Sequence, residues 1–405
     1  MLSVKPFDLV SVRAHASHLL AAAGWMVAEL ALASGSRSAA GEPAKALAPI
    51  PPQTLAIMAA KRTTAAAPLV IRTFKKEAEL EIWKQNNAGR FVYIKTFPIC
   101  RWSGQLGPKM YPGDRQTPEG FYAVGPRQMN PNSHYYLSFD TGFPNAYDKA
   151  HGASGSAVMV HGTCSSMGCF AMTDAQVAEI YAIARDALKG SRSAFQLQAY
   201  PFHMSAKNLA LYRNDRNIDF WRQLKEGSDR FEASGEALEP RVVGGRYAFA
   251  PSTDPNREQA TQAFHTAELA QIAGLVRDGS AAVATTYADG GQNAIFAALL
   301  RRGANLGTVS RPEALAYAGI DVTLVPGHRA RPKPAAERLE IVAADWRPER
   351  AGPRTTLIKV RQAEVPSSLI ADLAGTTITN IAWRVKDDPA LIAGAMPVQR
   401  AGMTR

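Results

Sequence analysis

The chain has 405 residues, 46% of them apolar, with 46 Lys+Arg against 35 Asp+Glu and a formal net charge of +11. This composition excludes a wholly disordered polypeptide and, at this length, predicts two or three globular domains. The three cysteines, Cys100, Cys164 and Cys169, are too few for a disulfide scaffold or a multi-cysteine zinc protein. The positive charge suits an anionic partner without choosing among nucleic acid, a membrane surface and a wall polymer.

Residues 1–50 read as an export or anchor segment followed by an Ala/Pro-rich linker: Lys5 and Arg13 precede a weakly apolar stretch, and Ala31-Leu32-Ala33 offers small residues for cleavage. Weak membrane anchoring through this N-terminus belongs to the same reading. Glu29 interrupts the apolar run, so an irregular start is the competing one. No run reaches the roughly 18–20 apolar residues of a spanning helix.

From residue 69 the pattern changes to short β-type runs, over 69–72, 80–83 and 91–94, with Asn86-Asn87-Ala88-Gly89 predicted to close a hairpin. Further strands are expected over 120–124, 135–139, 157–160 and 195–200. A helix follows residue 173, because Thr173 and Gln176 have capping-box spacing and Val177, Ile180, Tyr181, Ala184 and Leu188 share one face, with Gly190 as its stop. A second helical stretch spans 218–226. Together these predict a mainly β, α+β architecture, a β-sandwich catalytic domain over 51–240.

The remainder differs in composition. Residues 241–325 are predicted as an Ala-rich helical extension with Leu269, Ile272, Ala273 and Val276 on one face. Residues 326–336 form a basic, proline-rich linker. Residues 337–405 form a small terminal unit with strands over 339–343, 355–360 and 376–383 and no chemical motif.

The chemistry concentrates in Val160-His161-Gly162-Thr163-Cys164-Ser165-Ser166-Met167-Gly168-Cys169, where a strand delivers a histidine and a Gly-Cys pair precedes the capped helix. A thiol nucleophile needs an imidazole to take its proton and backbone N–H groups to receive an oxyanion. The separation, 169 − 161 = 8 residues, lets one loop bring the two together, and a nearby helix N-terminus would depress the thiol pKa. On residues alone, an inert buried cysteine beside a hydrogen-bonded histidine fits equally well.

Upstream, Thr117-Pro118-Glu119-Gly120-Phe121 leads a turn into a strand. Together with His161-Gly162 and Ser166-Met167-Gly168-Cys169, it resembles the L,D-transpeptidase (YkuD) family of bacterial cell-wall enzymes, and its YafK-like branch most of all. Ile99 to Gly104, Met129 to Ser133 and Cys169 to Asp174 look like the same branch. The likeness spans roughly residues 68 to 230 and leaves the C-terminal part without a role.

The resemblance implies a periplasmic or cell-envelope enzyme acting on peptidoglycan stem peptides, with Cys169 as nucleophile, His161 as general base, and no metal, organic cofactor or nucleic acid. The amide of Cys169, with a neighbour from Ser166 to Gly168, is the expected oxyanion hole, and Ser166 and Gly168 support the loop. Two departures from the family pattern stand out. His151-Gly152 fits the family's longer His-to-Cys spacing, although His161 has the strand context. No arginine follows Cys169, so Arg101, Lys109, Arg115 and His134 are the candidates for binding substrate. That absence keeps open a hydrolytic relative, an L,D-carboxypeptidase or an amidase releasing a wall-attached protein; a noncatalytic wall-binding module is a further alternative. Trp102, Tyr135 and Tyr136 could flank a groove or serve the core. Cys100 and Cys164 could pair in an oxidising compartment and leave Cys169 free.

Overall fold

The computed structural model describes residues 44–191, 194–325 and 356–360. The expected export segment up to residue 43, the basic linker and the terminal unit apart from 356–360 lie outside the described residues.

The chain forms an α+β fold in which two sheets share one core. Its strands are β1 (Leu69–Phe74), β2 (Glu79–Gln85), β3 (Phe91–Pro98), β4 (Gly120–Val124), β5 (Met129–Asn130), β6 (Ser138–Asp140), β7 (Met159–His161), β8 (Phe170–Ala171), β9 (Phe195–Tyr200), β10 (Arg241–Val243), β11 (Arg246–Ala248), β12 (Ala282–Thr286), β13 (Ile320–Val325) and β14 (Thr356–Val360). Its helices are α1 (Ala44–Leu47), α2 (Pro52–Ala60), α3 (Ala146–Ala150), α4 (Asp174–Ser191), α5 (Ala206–Leu211), α6 (Ile218–Ser234), α7 (Pro255–Arg277) and α8 (Ala294–Arg301).

The larger sheet runs β3-β2-β1-β9-β4 and the smaller β5-β6-β7-β8. In the larger, β1 pairs antiparallel with β2 but parallel with β9, and its six residues are all buried, which is why it reads as a continuous apolar run interrupted only by Arg72 and Thr73. The Asn86 side chain closes the β2–β3 hairpin by accepting from the amides of Ala88 and Arg90. Phe139 of β6 meets Phe195 of β9 edge to face at 5.6 Å, joining the two sheets.

Helix α4 touches β6 and β7 of one sheet and β9 of the other. Its capping box forms as expected: the Gln176 amide donates to Thr173 Oγ1 and the Thr173 amide to Gln176 Oε1. Val177, Ile180, Tyr181, Ala184 and Leu188 are all buried. Gly190 does not stop the helix. A Cβ there would stand 2.1 Å from the Ala66 carbonyl oxygen, so glycine serves a close approach of backbone.

Two further expectations shift. The strand expected over 135–139 begins only at Ser138, and His134 lies exposed in the preceding turn. The extension is mixed, as the fold class allowed, although more of it is strand than its Ala-rich composition suggested: a three-stranded sheet, β12-β13-β14, accompanies α7 and α8. On α7 the proposed apolar face is largely exposed, Leu269 at 47% and Val276 at 37%. Ion pairs of Glu268 with Lys225 and Glu258 with Arg230, and a 2.7 Å hydrogen bond between His265 Nδ1 and Asp229, hold the helix to α6.

Candidate active site

Strand β7 ends at His161 and runs parallel to β8, with Val160 opposite Phe170 and His161 opposite Ala171. Cys169 immediately precedes β8, and the Met159 amide lies 3.4 Å from Cys169 Sγ. The thiol also lies 3.9 Å from the Ala157 carbonyl, so it sits against the backbone at the start of the strand that ends, two residues beyond Met159, in His161. The loop between His161 and Cys169 is pinned by backbone hydrogen bonds from Met172 to the His161 carbonyl and from Gly162 to Tyr135. Gly162 is required at its place, because a Cβ would come within 2.6 Å of Asp174 Oδ1.

His161 is buried, and its Nδ1 faces the carbonyl of Gly162. A carbonyl only accepts, so Nδ1 carries the proton and Nε2 keeps its lone pair. Tyr135, 39% exposed, lies over the imidazole with ring centroids 4.6 Å apart. Burial holds the His161 pKa below its ordinary value, against the opposing pull of the Gly162 hydrogen bond and Asp174. Burial likewise pushes the half-buried Cys169 thiol up to about 11; the Met159 amide and Lys109 act downward and Asp140 upward. The expected depression by a helix N-terminus is not observed, because β8 separates Cys169 from α4 and desolvation outweighs the local dipoles. Both partners are therefore neutral near pH 7.

Ser166 organises the turn. Its Oγ donates to the Cys169 carbonyl at 2.8 Å and accepts from the amides of Cys169 and Gly168 at 3.1 and 3.3 Å. The amides expected to form an oxyanion hole are thus committed to Ser166. Gly168 has φ +128°, a conformation closed to most side chains, and sits against the Gln116 carbonyl. Cys100 and Cys164 are joined by a disulfide with Cα atoms 5.3 Å apart, leaving Cys169 as the free cysteine.

The proposed substrate-binding residues separate into different environments. Arg101 is fully buried, with Nη2 on the Asp289 carbonyl and Nε on the Ser310 carbonyl, so its guanidinium ties loops together rather than facing substrate. Lys109 is 5% exposed and paired with Asp114 at 2.5 Å, with its ammonium close to Gly168. Arg115 is 29% exposed and binds Asp289 at 2.5 Å, with a longer 3.4 Å contact to the Ser166 carbonyl. His151, the alternative base, caps α3; its ring stacks on Tyr147 at 4.1 Å and its Nδ1 lies 2.9 Å from the Tyr147 carbonyl. Trp102 is wholly buried against Tyr287 and belongs to the core. Among the described residues, no group of three or more His, Cys, Asp or Glu could hold a metal ion.

Three residues carry more than the sequence disclosed. Glu119 is fully buried, where it pairs with Lys75 at 2.8 Å and accepts from the Gly107 amide and Trp221 Nε1. From the extension, Ser310 bonds Ser166 of the Cys169 loop across 144 residues, and Asp289 reaches the same loop through Arg115. No local pattern marks either of them; Glu119 at least stood within a recognised motif.

A profile of the L,D-transpeptidase catalytic domain (YkuD) matches residues 70–191. YafK of Escherichia coli strain K12, provisionally named an L,D-transpeptidase, is 40% identical over 187 residues, which cover 46% of this chain and 76% of YafK. Its counterpart in Escherichia coli O157:H7 matches to the same extent. Among solved structures, the helical cell shape determining protein Pgp2 of Campylobacter jejuni is 14% identical with a TM-score of 0.27, over 58% of this chain and 80% of that one. Bd1075 of Bdellovibrio bacteriovorus is 16% identical with a TM-score of 0.25, over 55% of this chain and 75% of its own.

Proposed function

The chain belongs to the L,D-transpeptidase (YkuD) family, and from that premise we propose that it is a cysteine acyltransferase of peptidoglycan stem peptides. The observation that carries this reading is the Cys169 thiol seated on the Met159 amide of the strand that ends in His161, with the imidazole held by Gly162 so that Nε2 is the basic nitrogen.

In the proposed reaction, His161 Nε2 takes the proton of the Cys169 thiol as sulfur attacks the carbonyl of the residue at stem position three. The tetrahedral intermediate collapses by breaking that residue's peptide bond, and the imidazolium returns the proton to the departing amine. A thioester remains. An acceptor amine then attacks it, losing a proton to His161 while the thiol is regenerated, which makes a new peptide bond; water in the same place gives hydrolysis. For the Cys169 amide to stabilise the oxyanion, it must exchange Ser166 Oγ for the substrate oxygen.

The Cys100–Cys164 disulfide supports an oxidising compartment, and the charge of +11 suits an anionic wall, so we place the enzyme in the cell envelope. Incubation with purified muropeptides, followed by mass spectrometry, tests the proposal. A cross-linked product or a shortened stem that disappears in Cys169→Ala supports it; identical products from both proteins refute it.

A further inference from the structure

Outside the segment that matches the family, two side chains of the extension close a ring around the Cys169 loop. The Ser310 hydroxyl accepts from the Ser166 amide at 2.9 Å and lies 3.2 Å from the Ser166 carbonyl, to which it donates. The Ser310 carbonyl accepts from Arg101 Nε at 3.0 Å. Arg101 and Arg115 both reach Asp289, and Arg115 returns to the Ser166 carbonyl. The cycle therefore runs Ser310, Arg101, Asp289, Arg115, Ser166 and back to Ser310, with two members from the extension and three from the catalytic domain.

The neighbouring 102–104 segment and the disulfide are fastened from the same side. Asp289 accepts from the Gly104 amide, and Gly291 forms a bridge with Trp102. Phe296 and Leu306 of the extension pack on the Cys100–Cys164 disulfide. Asp289 is 3% exposed, so its carboxylate is available to these partners and hardly at all to water. Ser166 transmits the constraint, because its backbone amide and carbonyl bind Ser310 while its Oγ holds the amide and carbonyl of Cys169.

We propose that Ser310 and Asp289 are positioning residues for the Cys169 thiol, so that residues of the C-terminal extension complete the active site of the catalytic domain. This deepens the transpeptidase reading but is tested partly without it. A hydroxyl that both accepts and donates fixes an amide and its own carbonyl at once, which an apolar side chain cannot do. Loss of either anchor frees the turn to move, and displacement of a reacting group by about 1 Å can cost up to about a hundredfold in rate.

The test uses the full chain with Ser310→Ala, Ser310→Thr and Asp289→Asn, each checked for folding by circular dichroism. Cys169 reactivity is read as the rate of iodoacetamide alkylation against pH, a measurement that needs no stem peptide. Ser310→Ala is expected to alkylate about tenfold faster at pH 8, with its profile displaced to lower pH as the loosened loop admits water. Ser310→Thr, which keeps the hydroxyl, restores the wild-type profile. On muropeptides, Ser310→Ala lowers kcat about tenfold with KM within about twofold. Asp289→Asn acts through Arg101 and Arg115 and carries the test should Ser310→Ala not fold. Folded variants with wild-type alkylation profiles overturn the proposal. Altered alkylation in an enzyme whose wild type turns over no muropeptide would refute the assigned reaction and leave the positioning role standing.

Discussion

The Gly162 carbonyl accepts the Nδ1 proton of His161, and this one contact decides which imidazole nitrogen can serve as base. With the imidazole held below its ordinary pKa and the Cys169 thiol pushed up to about 11, proton transfer must accompany attack instead of preceding it. A lowered imidazole pKa means that the base stays deprotonated further into acid. We therefore expect kcat/KM to fall only below about pH 6.5, the ordinary histidine value, and to stay level between about pH 7 and 9. A plateau lost above pH 6.5 on the acid side would contradict the neutral pair.

His161→Ala should lower thioester formation by about 10²- to 10⁴-fold, the range lost with a general base. His151→Ala should change it less than about twofold, since that ring is engaged with Tyr147 and caps α3. Intact-mass detection of acylated Cys169 after a single turnover ranks the two. The reverse ranking would move the base to His151.

Glu119 is the buried counterion of Lys75, with both side chains fully withdrawn from water. Removing one member of such a pair leaves the other charge uncompensated, at a cost of about 3–5 kcal/mol. Glu119→Ala should show this loss in urea unfolding, with a lower midpoint and an unchanged slope. Replacement of both Glu119 and Lys75 by apolar residues should recover part of it, because no lone buried charge then remains.

What was legible in the sequence was short in range. Thr173 with Gln176 predicted its helix start because a capping box is decided by neighbours three residues apart, and the apolar run before His161 predicted the strand that carries it. Gly190 misled for the same reason: its glycine answers to Ala66, more than a hundred residues earlier, and not to the helix it occupies. The α7 stripe suggested a buried face, yet charged pairs with α6 position that helix. Ser310 and Asp289 left no pattern at all, since their partners lie up to 209 and 188 residues away and any serine or aspartate looks alike until the loops meet. Burial, which sets the Cys169 pKa against the helix dipole, is a property of the assembled core and of no segment in it.

The Cys100–Cys164 disulfide yields the most direct test of the thiol assignment. With two of the three cysteines bonded to each other, Ellman titration of the unreduced, denatured chain should find one thiol, and Cys169→Ala should find none. Reduction should raise the counts to three and two. The bond links positions 64 residues apart, and closing a loop of that length in the unfolded chain is worth about 4 kcal/mol. Replacing both cysteines by alanine should therefore lower stability by about 2–5 kcal/mol in urea. Cys164 lies in the same loop as Cys169 and packs with Phe296 and Leu306, so the loss should extend beyond stability: Cys169 alkylation should quicken in the double variant while its protein is still fully folded. Normal alkylation in a folded but destabilised double variant would confine the disulfide to a role in stability alone.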